Sequence, residues 1–151
     1  MEPRLNVSTV ATDGYNGLLR VEKFLRSSSL DSTILELVKL RASQINGCGY
    51  CVDMHAHDAA VAGETTERLF AVAAWRHAPY FTNAERAALE LTEAATRLSD
   101  STDPVPDDIW RRATKHFDDH QLGALVIAIA AINAWNRIAV ITHQIAGSHR
   151  R

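Results

Sequence analysis

The sequence predicts an all-α protein folded as one domain. Three observations point there. Apolar residues recur at helical spacing, capping signatures and Gly or Pro stops divide the chain into helix-length pieces, and no segment alternates apolar with polar residues as a half-buried strand would. Residues 1–12 read as a loosely ordered lead-in. Tyr15 to Arg26 is the first helix, ended by the run Ser27-Ser28-Ser29. Asp31 can cap the second, with Thr33 and Glu36 as an alternative capping box; Ile34, Leu35, Val38, Ala42 and Ile45 then mark its apolar face and Gly47 stops it. A third helix begins around Cys48 to Cys51 and runs to Ala62, before Gly63. Thr65 or Thr66 opens a fourth over Leu69 to Trp75, ending before Pro79. Thr82 with Glu85 forms a capping box for Ala84 to Leu98, and Pro106 with Asp107 and Asp108 opens Ile109 to Phe117. Asp118 or Asp119 caps the long final helix. The expectation is a single helical bundle over residues 1–151, with about six to seven helices.

That final helix carries a further expectation. Gly123 to Ile132 is apolar all the way round, which predicts burial on every face, either at the centre of the domain or shared with another subunit. A symmetric homo-oligomer follows as the default form of such sharing.

Composition narrows the function. The chain has 151 residues, enough to bury a core without disulfide staples, and a net charge of −2, which argues against a nucleic-acid surface or a polybasic membrane contact. Met1 to Val10 has no apolar core of a signal peptide. Leu122 to Ile141 is interrupted by Asn133, Asn136 and Arg137, so it reads as a buried helix and not a membrane span. The expected compartment is the cytoplasm. In that reducing setting a cysteine pair is more often catalytic or metal-binding than structural.

The chain's two cysteines, Cys48 and Cys51, stand three residues apart where the pattern places a helix N-terminus. Free backbone N–H groups and the positive end of the helix dipole stabilise a thiolate there. A thiol with a pKa near 8.5 is about 3% ionised at pH 7, whereas one lowered to about 6 is about 90% ionised. His55 follows Cys51 by four residues, so the two side chains share a helix face, with Cβ atoms about 5–6 Å apart. The imidazole can take the thiol proton and pass it to a leaving oxygen. Cys48 can attack an oxidised Cys51 and close a disulfide.

Two other readings of these residues stand beside this one. Two small buried apolar residues are the plainest. Zinc is the sharper competitor, with Cys48, Cys51, His55 and His57 as ligands. However, His55 and His57 point to different faces of one helix, and no second segment offers another ligand pair. A thioredoxin-type motif would follow a strand, and here a helix precedes it.

The run from Glu36 to His55, ELVKLRASQINGCGYCVDMH, resembles the signature of the alkylhydroperoxidase D-like branch of the carboxymuconolactone decarboxylase family. The likeness continues through Trp75-Arg76, Glu85 to Leu89, Leu91 to Ala94 and Asn133 to Arg137, and so covers roughly residues 15 to 145. It implies an all-helical trimer or hexamer that reduces hydroperoxides, with Cys51 as the peroxidatic cysteine and Cys48 as the resolving one. By the same likeness His55 and Glu36 form the proton relay, and an external dithiol of lipoyl or thioredoxin type returns the electrons. Periodicity alone does not single out Glu36, whose local alternative is a capping carboxylate. One residue departs from the pattern. Tyr50 stands where the best-known peroxidases of the family carry a histidine, and a phenol is a poor base at neutral pH. Tyr50 is therefore either a hydrogen-bond donor or an aromatic cover for the site.

The predicted activity is a cysteine-based peroxidase cycle that needs no metal and no organic cofactor. The alternatives are a redox-responsive or structural assembly protein with little turnover, and another small-molecule reaction using His55 and Glu36 as acid and base. His77, His116, His120, His143 and His149 have no evident partners in the sequence and read as surface or packing residues.

Overall fold

The computed structural model describes residues 2–150, and among them no strand occurs. The capping signals fall where helices begin. Helix α2, Thr12–Ser27, ends at Ser28 in the serine run. Helix α3, Ser32–Ile45, starts at Asp31, whose carboxylate accepts from the amides of Thr33 and Ile34. The Thr33–Glu36 box is not used, which leaves the Glu36 carboxylate free for another partner. Helix α4, Gly49–Val61, is capped by Cys48 and followed by Gly63 at φ +99°. Helix α5, Thr66–Ala71, is capped by Thr65 and tightens into a 3₁₀ turn over Val72–His77. Helix α6, Asn83–Thr96, and the final helix α8, Asp119–Thr142, both open with complete capping boxes, Thr82 with Glu85 and Asp118 with Gln121. Between them lies α7, Asp107–Thr114, after Pro106.

The eighth helix is the short α1, Val7–Val10, in the segment expected to be loose. No apolar pattern marks it. Asn6 caps it, and the Arg4 amide donates to the carbonyl of Thr142 at 2.8 Å, so the segment is held against the far end of the chain. That contact lies beyond anything local spacing can show.

Helix α3 is the axis of the packing: it lies against α4, α6 and α8. Its apolar residues supply two clusters. One, with Leu35 and Val38, meets Leu122, Leu125 and Ile129 of α8; the other, with Leu37 and Leu40, meets Trp75, Phe81 and Leu89. Glu93 ties three elements together, since its carboxylate accepts from Arg41 of α3, from Trp75 Nε1 and from Arg76. Burial alone would push the Glu93 carboxyl up, but those three donors together hold it below its ordinary value.

Helix α8 meets its expectation only in part within a single chain. Helix α8 is long and apolar enough to cross a bilayer by length and composition, yet its inner face packs on α2, α3, α4, α6 and α7. It is also not buried on every face within one chain. Leu122, Leu125, Ala128 and Ile132 are inside, whereas Val126 and Ile127 are 44% and 42% exposed and Val140 and Ile141 are exposed too. Apolar residues all round the helix identified it as unusual. Only packing shows which side the single chain covers.

Because Asp118 satisfies an amide in the first turn of α8, an Asp118→Ala chain should unfold with a stability about 1 kcal/mol lower. Urea unfolding followed by circular dichroism measures this, with the m-value unchanged.

Candidate active site

Gly47 makes the connection that builds the site. Its φ of +66° is the left-handed conformation that ends α3 and turns the chain directly into α4. A polar network under this turn ties it to α8. Asn46 Nδ2 donates to the side-chain oxygens of Asn133 and Asn136 at 2.9 and 2.8 Å, and Asn136 Nδ2 donates to Ser43 Oγ at 2.9 Å. Asn136 is 1% exposed, so these hydrogen bonds are what makes its burial tolerable. The same asparagines argued against a membrane span in the sequence, but their role in holding the turn was missed.

Cys48 and Cys51 are joined in a disulfide, with Cα atoms 5.3 Å apart. Cys48 is the N-cap of α4, and its Sγ accepts from the Cys51 amide at 3.3 Å. Both residues are buried, packed with Ala139 of α8 under Tyr50. Their surroundings differ. Cys51 lines a cavity of about 300 Å³ together with His55, Met54 and Tyr50 of α4, Tyr15 and Glu22 of α2, and Trp135 of α8, whereas Cys48 does not reach it.

His55 and Glu36 do meet. His55 Nδ1 lies 2.8 Å from Glu36 Oε2, joining adjacent helices across the α3–α4 contact. Burial pushes the Glu36 carboxyl up, but the hydrogen bond and charge of His55, then Lys39 and Arg26, outweigh it and leave the group below its ordinary value. An ionised carboxylate only accepts, so His55 Nδ1 carries a proton and donates it. Glu36 also lines a second groove, of about 640 Å³, which His55 does not line. Among the described residues no hydrogen bond joins His55 to either sulfur of the disulfide.

Tyr50 forms part of the cavity wall and is held as a phenol. Burial raises its pKa, and the nearby Tyr15 and Asp58 raise it further. It can donate a hydrogen bond and cannot act as a base near neutral pH. His149, expected to be an ordinary packing residue, packs edge-on against Tyr50 at 5.8 Å and lies 5.9 Å from the His57 ring. Asp53 holds this C-terminal turn by accepting from the Gly147 amide at 2.9 Å and from Arg150 at 3.0 Å. His57 thus faces the C-terminal turn and not the cysteines. Among the described residues no group of three or more His, Cys, Asp or Glu side chains is gathered as a metal-ligand set.

The structure therefore brings Cys48, Cys51, His55 and Glu36 into one unit, and it adds residues that spacing could not supply. Glu22 and Lys39, paired between α2 and α3, and the aromatic wall of Tyr15 and Trp135 all come from separate parts of the chain. Lys39 carried a signal, a charged residue between the core positions Val38 and Leu40, but nothing in one sequence named its partner.

Comparison with known proteins agrees with this architecture. An uncharacterized protein of Bacillus subtilis, YdfG, is 39% identical over 140 residues, 93% of this chain and 94% of that protein. A crystal structure of a protein of unknown function from Agrobacterium tumefaciens, described as an AhpD-type antioxidant defence protein, superposes with a TM-score of 0.91 at 34% identity, covering 96% of this chain and 98% of the other. The fold is shared further with a peroxidase-related protein of Ralstonia eutropha JMP134, an alkylhydroperoxidase AhpD core, at a TM-score of 0.80 and 18% identity over 97% of this chain and 78% of that one. The family model for carboxymuconolactone decarboxylases matches residues 12–94, the stretch that contains Glu36, both cysteines and His55. The chain belongs to the carboxymuconolactone decarboxylase family, in its AhpD-like branch.

Proposed function

We propose that this protein is a cysteine-based peroxidase that reduces hydroperoxides. One observation carries the reading: Cys51 and His55 open into the same cavity, and Glu36 binds His55 from behind. In the reduced protein His55 takes the Cys51 proton through Nε2 while Glu36 stabilises the imidazolium. The thiolate attacks the terminal oxygen of a hydroperoxide, the O–O bond breaks, and the leaving oxygen takes the proton from His55 as alcohol or water. Cys51 is left as a sulfenic acid. The Cys48 sulfur attacks it, the disulfide forms and water leaves. An external dithiol of lipoyl or thioredoxin type then reduces the disulfide by exchange and is itself oxidised. The assignment of Cys51 as attacking sulfur and Cys48 as resolving sulfur is supported by the cavity, which only Cys51 lines. The cycle calls on no metal or organic cofactor, and a reducing compartment such as the cytoplasm suits it.

The test uses the fully reduced protein with one equivalent of an organic hydroperoxide. Loss of both thiols, with the mass of an internal disulfide, is the expected result. Thiols that persist in the presence of hydroperoxide would overturn the reading and favour a redox-responsive assembly role.

We also propose that the protein works as a homo-oligomer, a trimer or hexamer as the family resemblance implies. The exposed apolar residues Val126, Ile127 and Ile141 on one side of α8 support this. An Ile127→Asp chain should run at lower mass than the parent in light scattering while keeping its helical content.

A further inference from the structure

Lys39 and Glu22 form an ion pair that the proposed cycle does not use. Lys39 Nζ lies 2.6 Å from Glu22 Oε2, and the side chains are only 5% and 12% exposed. The other oxygen of Glu22 accepts from Trp135 Nε1 at 3.0 Å, so both oxygens are engaged and the carboxylate is fixed between α2 and α8. As a source of stability such a pair is a poor choice. Taking two charges out of water costs about as much as their attraction returns, and apolar residues of similar size serve as well.

Its position offers a better account. Lys39 stands three residues after Glu36 on α3, so the two side chains are neighbours on one helix face. Glu22 lines the cavity that holds Cys51 and His55. The pair therefore borders the proposed relay, with Lys39 beside Glu36 on α3 and Glu22 in the cavity wall.

We propose that Lys39 is a positioning residue for this relay. Held in place by Glu22, its ammonium group keeps the Glu36 carboxylate ionised. An ionised Glu36 keeps the Nδ1 proton of His55 engaged, which leaves Nε2 free on the side of Cys51. The inference rests on the peroxidase reading for the identity of the reaction but not for the charge arrangement itself.

Other charged groups face Glu36, and their settings explain why Lys39 matters most among the cations that do not touch it. Arg26 of α2 and Asp58 of α4 line both spaces beside the relay, but both are exposed and oppose each other in sign. Across the groove, Arg68 is paired with two carboxylates, Glu64 and Glu85, so this cluster offers no net positive charge to Glu36. Lys39 is buried, where a charge is weakly screened. The net lowering of the Glu36 carboxyl agrees in direction: burial opposes it, His55 contributes most to it, and Lys39 follows ahead of Arg26.

The experiment reads the pH dependence of Cys51 in a reduced Cys48→Ser chain by two measurements. One is the rate of alkylation by iodoacetamide, and the other is the first-turnover oxidation by an organic hydroperoxide. Lys39→Met, Lys39→Met with Glu22→Gln, and Lys39→Arg are compared with the parent. Removing a nearby positive charge raises the pKa of Cys51, His55 and Glu36 alike, so the sign is the same whichever group limits the rate. The rising acid limb should move up by about one pH unit in Lys39→Met and by less in the double variant, where loss of the Glu22 charge offsets part of the shift, and arginine should restore it.

An unmoved limb in Lys39→Met, even with a rate lowered equally at every pH, would assign Lys39 to packing and overturn the proposal. Should Lys39→Met fail to fold, the double variant carries the test against a Glu22→Gln chain, relative to which its limb should lie higher. Failure of the double variant to fold would also overturn it, since a pair the fold requires is structural. If the alkylation limb moves but hydroperoxide oxidises none of the chains, the peroxidase reading falls and the positioning role stands.

Discussion

A Cys51→Ser chain is expected to consume hydroperoxide at least about a thousand-fold more slowly than the parent, a barrier increase of about 4 kcal/mol. The serine hydroxyl is not ionised at neutral pH, and its oxygen is far less polarisable than a thiolate sulfur. The cavity would keep its shape, because the two residues differ little in size. A Cys48→Ser chain should behave differently. Its first turnover should survive, since Cys51 and His55 still line the cavity, and the product should stop at the sulfenic acid for want of a second sulfur. Peroxide loss measured over one turnover and over many separates the two chains. Equal multi-turnover rates in the Cys51→Ser chain and the parent would rule out Cys51 as the nucleophile.

The relay should account for the next largest effect. In a His55→Ala chain the base is gone, and the first-turnover rate at neutral pH should fall by about a hundred-fold, the lower end for general acid–base catalysis. Part of the loss should return at high pH, where the thiol ionises without help. Glu36→Gln should give a smaller loss with a distinct signature in stability. The Glu36 carboxyl is held below its ordinary value in the folded protein, chiefly by His55 against the opposing effect of burial. Its ionised form therefore stabilises the fold fully above the ordinary carboxylate range, and that contribution is lost as pH falls through the lowered value. The parent should lose thermal stability on acidification more steeply than the Glu36→Gln chain. Parallel melting curves from pH 6 down to pH 3 would remove Glu36 from the account.

The helices were legible because their signals are local. Asp31, Thr82 and Asp118 cap the helices that their positions announce, and two of the three do so with complete boxes. Gly47 and Gly63 stop helices because each occupies a backbone conformation that other residues adopt only with strain. Cys48, Cys51 and His55 could be placed together for the same reason, since one helical turn carries the first to the second and another brings His55 onto the same face. Glu36 shows where local reasoning stops. As a capping candidate it had a partner three residues away in Thr33, and as a relay residue its partner is on the next helix. Asp31 took the capping role, and the tertiary contact between α3 and α4 gave Glu36 to His55.

Helix α8 was legible only in part for a related reason. Apolar residues all round a helix record that each face meets something apolar, without saying whether that neighbour is the same chain. Helix α1 was not legible because the segment's hold on the fold is a backbone contact of Arg4 with Thr142 and not a pattern of side chains.

What the sequence determined by itself was the class of structure, the order and ends of its main helices, and a cysteine pair and histidine in one short stretch. These depend on interactions within a few residues, where φ/ψ preference, capping and helical spacing act directly. Only the tertiary structure decided which cysteine faces the cavity, which carboxylate reaches His55, and that Lys39 and Glu22 meet beside that cavity. Such contacts join residues 17 to more than 100 positions apart. Their energies depend on burial and on distances that no local spacing contains.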